Sequence, residues 1–96
     1  MRAGKSGHVT AERWLEQNEA VGQIALAHAI DVLRRMPSGI RVLGADGFTA
    51  VSRPTHNFIA DFSHAPMTPA DSVAAAIDAL STWPAELLVE LVVTDG

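Results

Sequence analysis

Cysteine is absent from this 96-residue chain, which excludes a disulfide framework, thiolate metal centres and a cysteine nucleophile. Basic residues are absent beyond Arg53. No apolar run approaches the roughly 20 residues of a membrane span, and the opening MRAGKSGHVT lacks the apolar stretch of a secretory signal. Internal repeats and low-complexity linkers are missing too. These absences point to a soluble, cytoplasmic protein. The remainder is ordinary for a globular chain, with 48% hydrophobic and 19% charged residues, so wholesale disorder is disfavoured. The length suits one domain over 1–96, with 1–9 as a loose terminus and a modest core.

The missing basic residues make the charge lopsided. Asp61, Asp71, Asp78, Glu86, Glu90 and Asp95 stand unbalanced, so 54–96 carries −6, whereas 1–53 holds seven basic and five acidic groups. An acidic half repels phosphates, so direct nucleic-acid binding by it is not expected. The same charge suits a basic protein partner, whose approach it would steer.

The middle of the chain, Ile40–Pro66, reads as β. Ile40–Leu43 is β-branched and aliphatic, and Asp46-Gly47 is a strong short-range hairpin signal. Phe48–Arg53 and Asn57–Phe62 each alternate apolar and polar positions. Pro54 has no ladder donor, so Arg53–Asn57 is read as a second turn. The three Phe residues of the chain then fall on strand faces that can stack into a core.

Helical periodicity flanks this segment. Ala11–Met36 places Trp14, Val21, Ala25, Val32 and Met36 on one side, with Thr10 as N-cap and Pro37-Ser38-Gly39 as stop. Gly22 marks a kink or a break, and Ile24 projects on the polar side. Thr68-Pro69-Ala70-Asp71 is a second helix start, and that helix runs to about Ser81. Leu87–Thr94 is read as helix on the strength of Leu and Glu, with a fourth strand as the alternative. The fold class expected is α+β: a three-stranded antiparallel meander between a long N-terminal helix and a C-terminal helix, in the order α-β-β-β-α.

No catalytic constellation, cofactor motif or metal-ligand set stands out. His56 and His64 sit at opposite ends of the third expected strand, roughly 26 Å apart at about 3.3 Å per residue, too far to share a metal. Strand parity points Asp61 and His64 to opposite faces, and Ser63-His64 is not a triad. Glu86 and Glu90 are one helical turn apart if the last element is helical, yet two carboxylates fall short of a ligand set. Arg53, His56 and Asn57 form the most distinctive polar loop, which a plain turn also explains. Trp14 is read as core, and Trp83, set before a proline in a corner, as an interface anchor.

The run Phe48–Leu80, a hairpin followed by TPADSVAAAIDAL, resembles the hairpin-plus-helix pattern of small phage-type α-β-β-β-α sandwich proteins, among them some inhibitors of bacterial CRISPR systems. It also resembles HicB-type antitoxins. Those antitoxins open with a strand and end in a DNA-binding domain, and this chain departs from both features. The resemblance implies a mobile-element inhibitor of a bacterial defence complex. Together with the charge, it makes a non-catalytic protein-interaction module the leading expectation, its acidic C-terminal surface built from Asp71, Asp78, Trp83, Glu86 and Glu90. Two alternatives stay open: a small-ligand binder or enzyme with a pocket at a subunit interface near Arg53, His56 and His64, and a HicB-like antitoxin. An edge strand or the surface around Ile24 offers a homodimer contact.

Overall fold

The expected N-terminal helix is interrupted. In the computed structural model, which describes residues 10–51 and 53–95 with the side chains of 54–57 outside that set, Ala11–Gln17 forms α1, Gln23–Ala25 forms β1 and Leu26–Arg34 forms α2. The expected loose terminus, 1–9, lies outside the described residues. Thr10 caps α1 as read from the sequence, its side chain accepting from the Arg13 N–H. At the other end, Ala20 N–H donates to the Leu15 carbonyl and Glu19 N–H to that of Glu16. That pair of bonds is the Schellman closure of a helix. It requires a left-handed residue, and Glu19 supplies it at φ 54°. Gly22 then turns the chain at φ 78°, a conformation glycine adopts without steric cost. The break follows from these two positions.

The meander is also revised. Ile40–Phe48 is one continuous strand, β2, running through Gly44-Ala45-Asp46-Gly47. The hairpin turns later, where Thr49 N–H donates to the Arg53 carbonyl and Arg53 N–H to Thr49 Oγ1. Pro54–Asp61 forms β3. Gly44 serves close approach instead of a turn, because a Cβ there would run into the Ala60 carbonyl of β3. Pro54 fits because β3 is an edge strand, where a missing donor costs no ladder bond.

Pro69–Leu80 forms α3 as expected, with Thr68 accepting from the Asp71 N–H and Pro69 in the first turn. The last element is a strand, β4 (Leu88–Asp95), and not the helix favoured from sequence. β-branched Val92, Val93 and Thr94 suit a pleated ladder, and β4 takes a central position in the antiparallel order β1-β4-β2-β3. The result is α+β with a four-stranded sheet and three helices among the described residues. β1 is parallel to β2 with β4 between them, and β3 is parallel to β4 with β2 between them. The two β-α-β units therefore interleave.

All three helices pack on one face. Leu15 of α1, Leu26, Ala29, Val32 and Leu33 of α2, and Ala76 and Leu80 of α3 form one buried cluster with Val42, Ala45, Val89 and Leu91 of the sheet. The core is aliphatic: the Phe residues expected to build it are half-buried, Phe62 packing against its margin while Phe48 falls on the other face of the sheet. Ile24, expected to project on a polar side, packs against this core from β1. One polar residue enters the layer. Ser72 of α3 is fully buried, its Oγ donating to the Pro69 carbonyl (2.7 Å) and accepting from the Val42 N–H (2.9 Å). It ties α3 to β2 beside the register shift at Val42–Gly44.

Candidate functional site

With the helices on one side, the other side of the sheet is uncovered by any described helix. The register decides what it displays, since directly paired residues share a face. Phe48 of β2 pairs with Leu88 of β4, which pairs with Ala25 of β1. In the next row Gln23, Glu90, Asp46 and Ile59 lie side by side across all four strands. Val92, Gly44 and Asp61 make the row beyond. The apolar members remain accessible: Ile59 is 55% exposed and Val92 41%. Leu43, Ile59 and Val92 line a shallow groove of about 280 Å³ together with Asp46, Asp61 and Ser63.

Two features of the charge are notable. Asp46 and Glu90 stand directly opposite each other on the two central strands, an arrangement in which like charges repel. Neither carboxylate is paired with a cation, the one ion pair among the described residues being Arg35–Asp31 at 2.9 Å. Asp61 is different. Its Oδ1 accepts from the Ser63 hydroxyl (2.6 Å) and the Ser63 N–H (2.9 Å). These bonds, the hydroxyl first, hold its carboxyl below the usual range, against a lesser opposing push from desolvation and with the smallest pull from His64. The sequence reading set His64 on the opposite face from Asp61, assuming that the strand continued. β3 ends at Asp61, so strand parity no longer governs His64.

The residues singled out from sequence separate. Asp71 and Asp78 are exposed on α3, in the helix layer, and Glu86 is exposed in the connection before β4. Glu90 lies on the opposite side of the molecule, on the uncovered face. Trp83 is half-buried, packed against the core and edge-to-face with Phe58, ring centroids 5.8 Å apart. Arg53 is exposed in the hairpin turn. The backbone of His56 and Asn57 runs in β3, and their side chains lie outside the described residues. His28 places Nε2 2.9 Å from the Asn18 carbonyl and 3.2 Å from that of Glu19, closing the end of α1.

Sequence reasoning missed Asp46, which it took for a turn residue, and the alternation Leu88-Glu90-Val92, which it took for helix. The latter pattern is visible in LLVELVVTD once period two is applied in place of 3.6. No described helix is long and apolar enough to cross a membrane, and no group of three or more potential metal ligands occurs among the described residues. No protein-family model matches the chain, and no significant match exists to a curated protein or to a solved structure.

Proposed function

We propose that this protein is a non-catalytic interaction module whose uncovered sheet face receives a basic, partly apolar surface of a macromolecular partner. One observation carries the reading: Asp46 and Glu90 are unpaired carboxylates set against each other amid exposed apolar side chains on the central strands. A partner Arg or Lys placed between them would relieve the repulsion, and Ile59, Val92 and Leu88 would supply apolar burial around the charge. The outer side of α3 has acids, Asp71 and Asp78, but its exposed neighbours are alanines, which offer little area for an anchor. The charge also argues against a second copy as the occupant, because stacking two such faces would bring six carboxylates together, Asp46, Asp61 and Glu90 from each. A basic channel in a bacterial defence complex meets the requirement, in keeping with the phage-type resemblance.

The test uses a short peptide with arginines alternating with leucines, titrated into the isotope-labelled protein. Amide shifts are expected on β2 and β4 around Asp46, Glu90 and Val92. They should shrink in the D46N/E90Q double variant and with added salt. Shifts confined to α3 around Asp71 and Asp78, or an undiminished response in D46N/E90Q, would overturn the reading.

A further inference from the structure

On the helix side, away from the acidic face, a groove of about 400 Å³ lies between the end of α2 and α3. Its wall is apolar: Leu33 and Met36 at the end of α2, Ile40 at the start of β2, and Val73 and Ile77 of α3. Arg34 is the sole charged residue lining it among the described residues. Asp71 and Asp78 lie about 100° or more around α3 from Val73 and Ile77, but only about 60° and 40° from Ala74 at the groove's rim, at 100° per residue.

Arg34 contrasts with its neighbour. Arg35 is engaged twice, with Asp31 Oδ2 at 2.9 Å and Asn18 Oδ1 at 2.7 Å. Arg34 is exposed in the last turn of α2 and makes no hydrogen bond or ion pair to any described residue. A free guanidinium at the edge of an apolar groove is half of a recognition pair. Its planar fork favours a carboxylate bound through two parallel hydrogen bonds. The volume falls in the range of small-molecule sites, about 300–1,000 Å³.

We infer that this groove binds a small amphiphilic carboxylate, its alkyl portion along Met36, Val73 and Ile77 and its head group on Arg34. The inference is independent of the acidic face, since the two surfaces lie on opposite sides of the sheet. Pro37, Ser38, Pro69, Ala70 and Ala74 complete the lining, and their small size leaves the groove open to solvent.

Decanoate, kept below its micelle-forming concentration, is the probe, with decanol as its uncharged counterpart. Calorimetric titration with amide-shift mapping is expected to show decanoate binding at the Met36, Val73 and Ile77 positions. Arg34→Gln should weaken it on the order of tenfold, the usual scale for losing a charged hydrogen bond. Decanol should bind Arg34→Gln and wild type equally and weakly. Ala74→Trp, at an exposed position that tolerates a large side chain, should fill the groove and abolish binding while amide dispersion shows the fold intact. No decanoate binding, decanol binding as tight as decanoate, or full binding to Ala74→Trp would each overturn the inference.

Discussion

The two faces of the sheet are built from the same strands and differ in what they ask of their neighbours. On the covered face, Val42, Ala45, Val89 and Leu91 meet the helices, and the buried Ser72 hydroxyl both donates and accepts a hydrogen bond. On the uncovered face, the intervening positions alternate apolar residues with acids, and Asp46 and Glu90 repel each other across the two central strands. The covered face has its polar needs met within the chain. The uncovered face leaves charge and apolar area without partners, although an alternating strand could as readily place a Thr or Lys at either position. Stability thus rests on one side of the ladder, and the recognition proposed above would use the other.

The largest effects should come from the covered face. Leu80, fully buried at the end of α3, should cost about 2–5 kcal/mol on change to Ala, through lost transfer energy and the cavity left behind. Ser72→Ala should follow at about 1–3 kcal/mol, because the buried Val42 N–H loses its acceptor. Val92→Thr on the uncovered face keeps the β-branch and should stay within about 0.5 kcal/mol. Denaturant midpoints measure all three. Comparable losses for Val92→Thr and Leu80→Ala would mean that the uncovered face is also core, and the contrast would fail.

Next comes the central acid pair, where the expected sign is reversed. Asp46→Asn and Glu90→Gln should each stabilise the isolated protein by about 0.2–1 kcal/mol, the scale of a directly opposed cross-strand pair. Their double variant should gain less than the sum, since the first change already removes the repulsion. Added salt should narrow the gain by screening the native pair. A binding face commonly carries residues that cost stability and pay off only on contact. Destabilisation by either change would show that the carboxylates serve the fold.

Much of this architecture was legible in local chemistry. Thr10 and Thr68 each accept a hydrogen bond from the amide three residues on, because an N-cap is decided by a few neighbouring atoms. The expectations failed where distant chain decides. Asp46-Gly47 is a turn signal when glycine takes positive φ, and here Gly22 is the one described glycine that does so. The need for glycine at Gly44 comes from Ala60, in another strand. Leu87–Thr94 is finely balanced between helix and strand by propensity, and the slot between β1 and β2 tips it to strand. The helical period expected across Ala11–Met36 fails at the break: Val21 and Ala25, read as part of its apolar side, are exposed, and Ile24, read as polar-side, packs on the core, because Gln23–Ala25 runs as a strand. The candidate face was the least legible part. It exists only through the register of four strands, and its key pair, Asp46 and Glu90, is 44 residues apart in sequence.

The smallest effect separates the acids within the uncovered face itself. Asp61 is held ionised by Ser63, whereas Asp46 and Glu90 have no such donors among the described residues. A carboxyl whose folded pKa is depressed contributes stability above its unfolded value of about 3.9, and that contribution is lost as pH falls through the folded pKa. The contribution is therefore whole at neutral pH and disappears only in acid. Ser63→Ala removes the hydroxyl, the leading cause of the shift, and leaves the backbone N–H in place. A carboxyl-carbon NMR titration should show the Asp61 midpoint rising part of the way towards the ordinary range. Since Asp61 is fully exposed, the stability curve above pH 5 should not change measurably. A midpoint that stays low in Ser63→Ala would mean that the backbone N–H and His64 suffice, and that the hydroxyl does not set Asp61 apart from the other two acids.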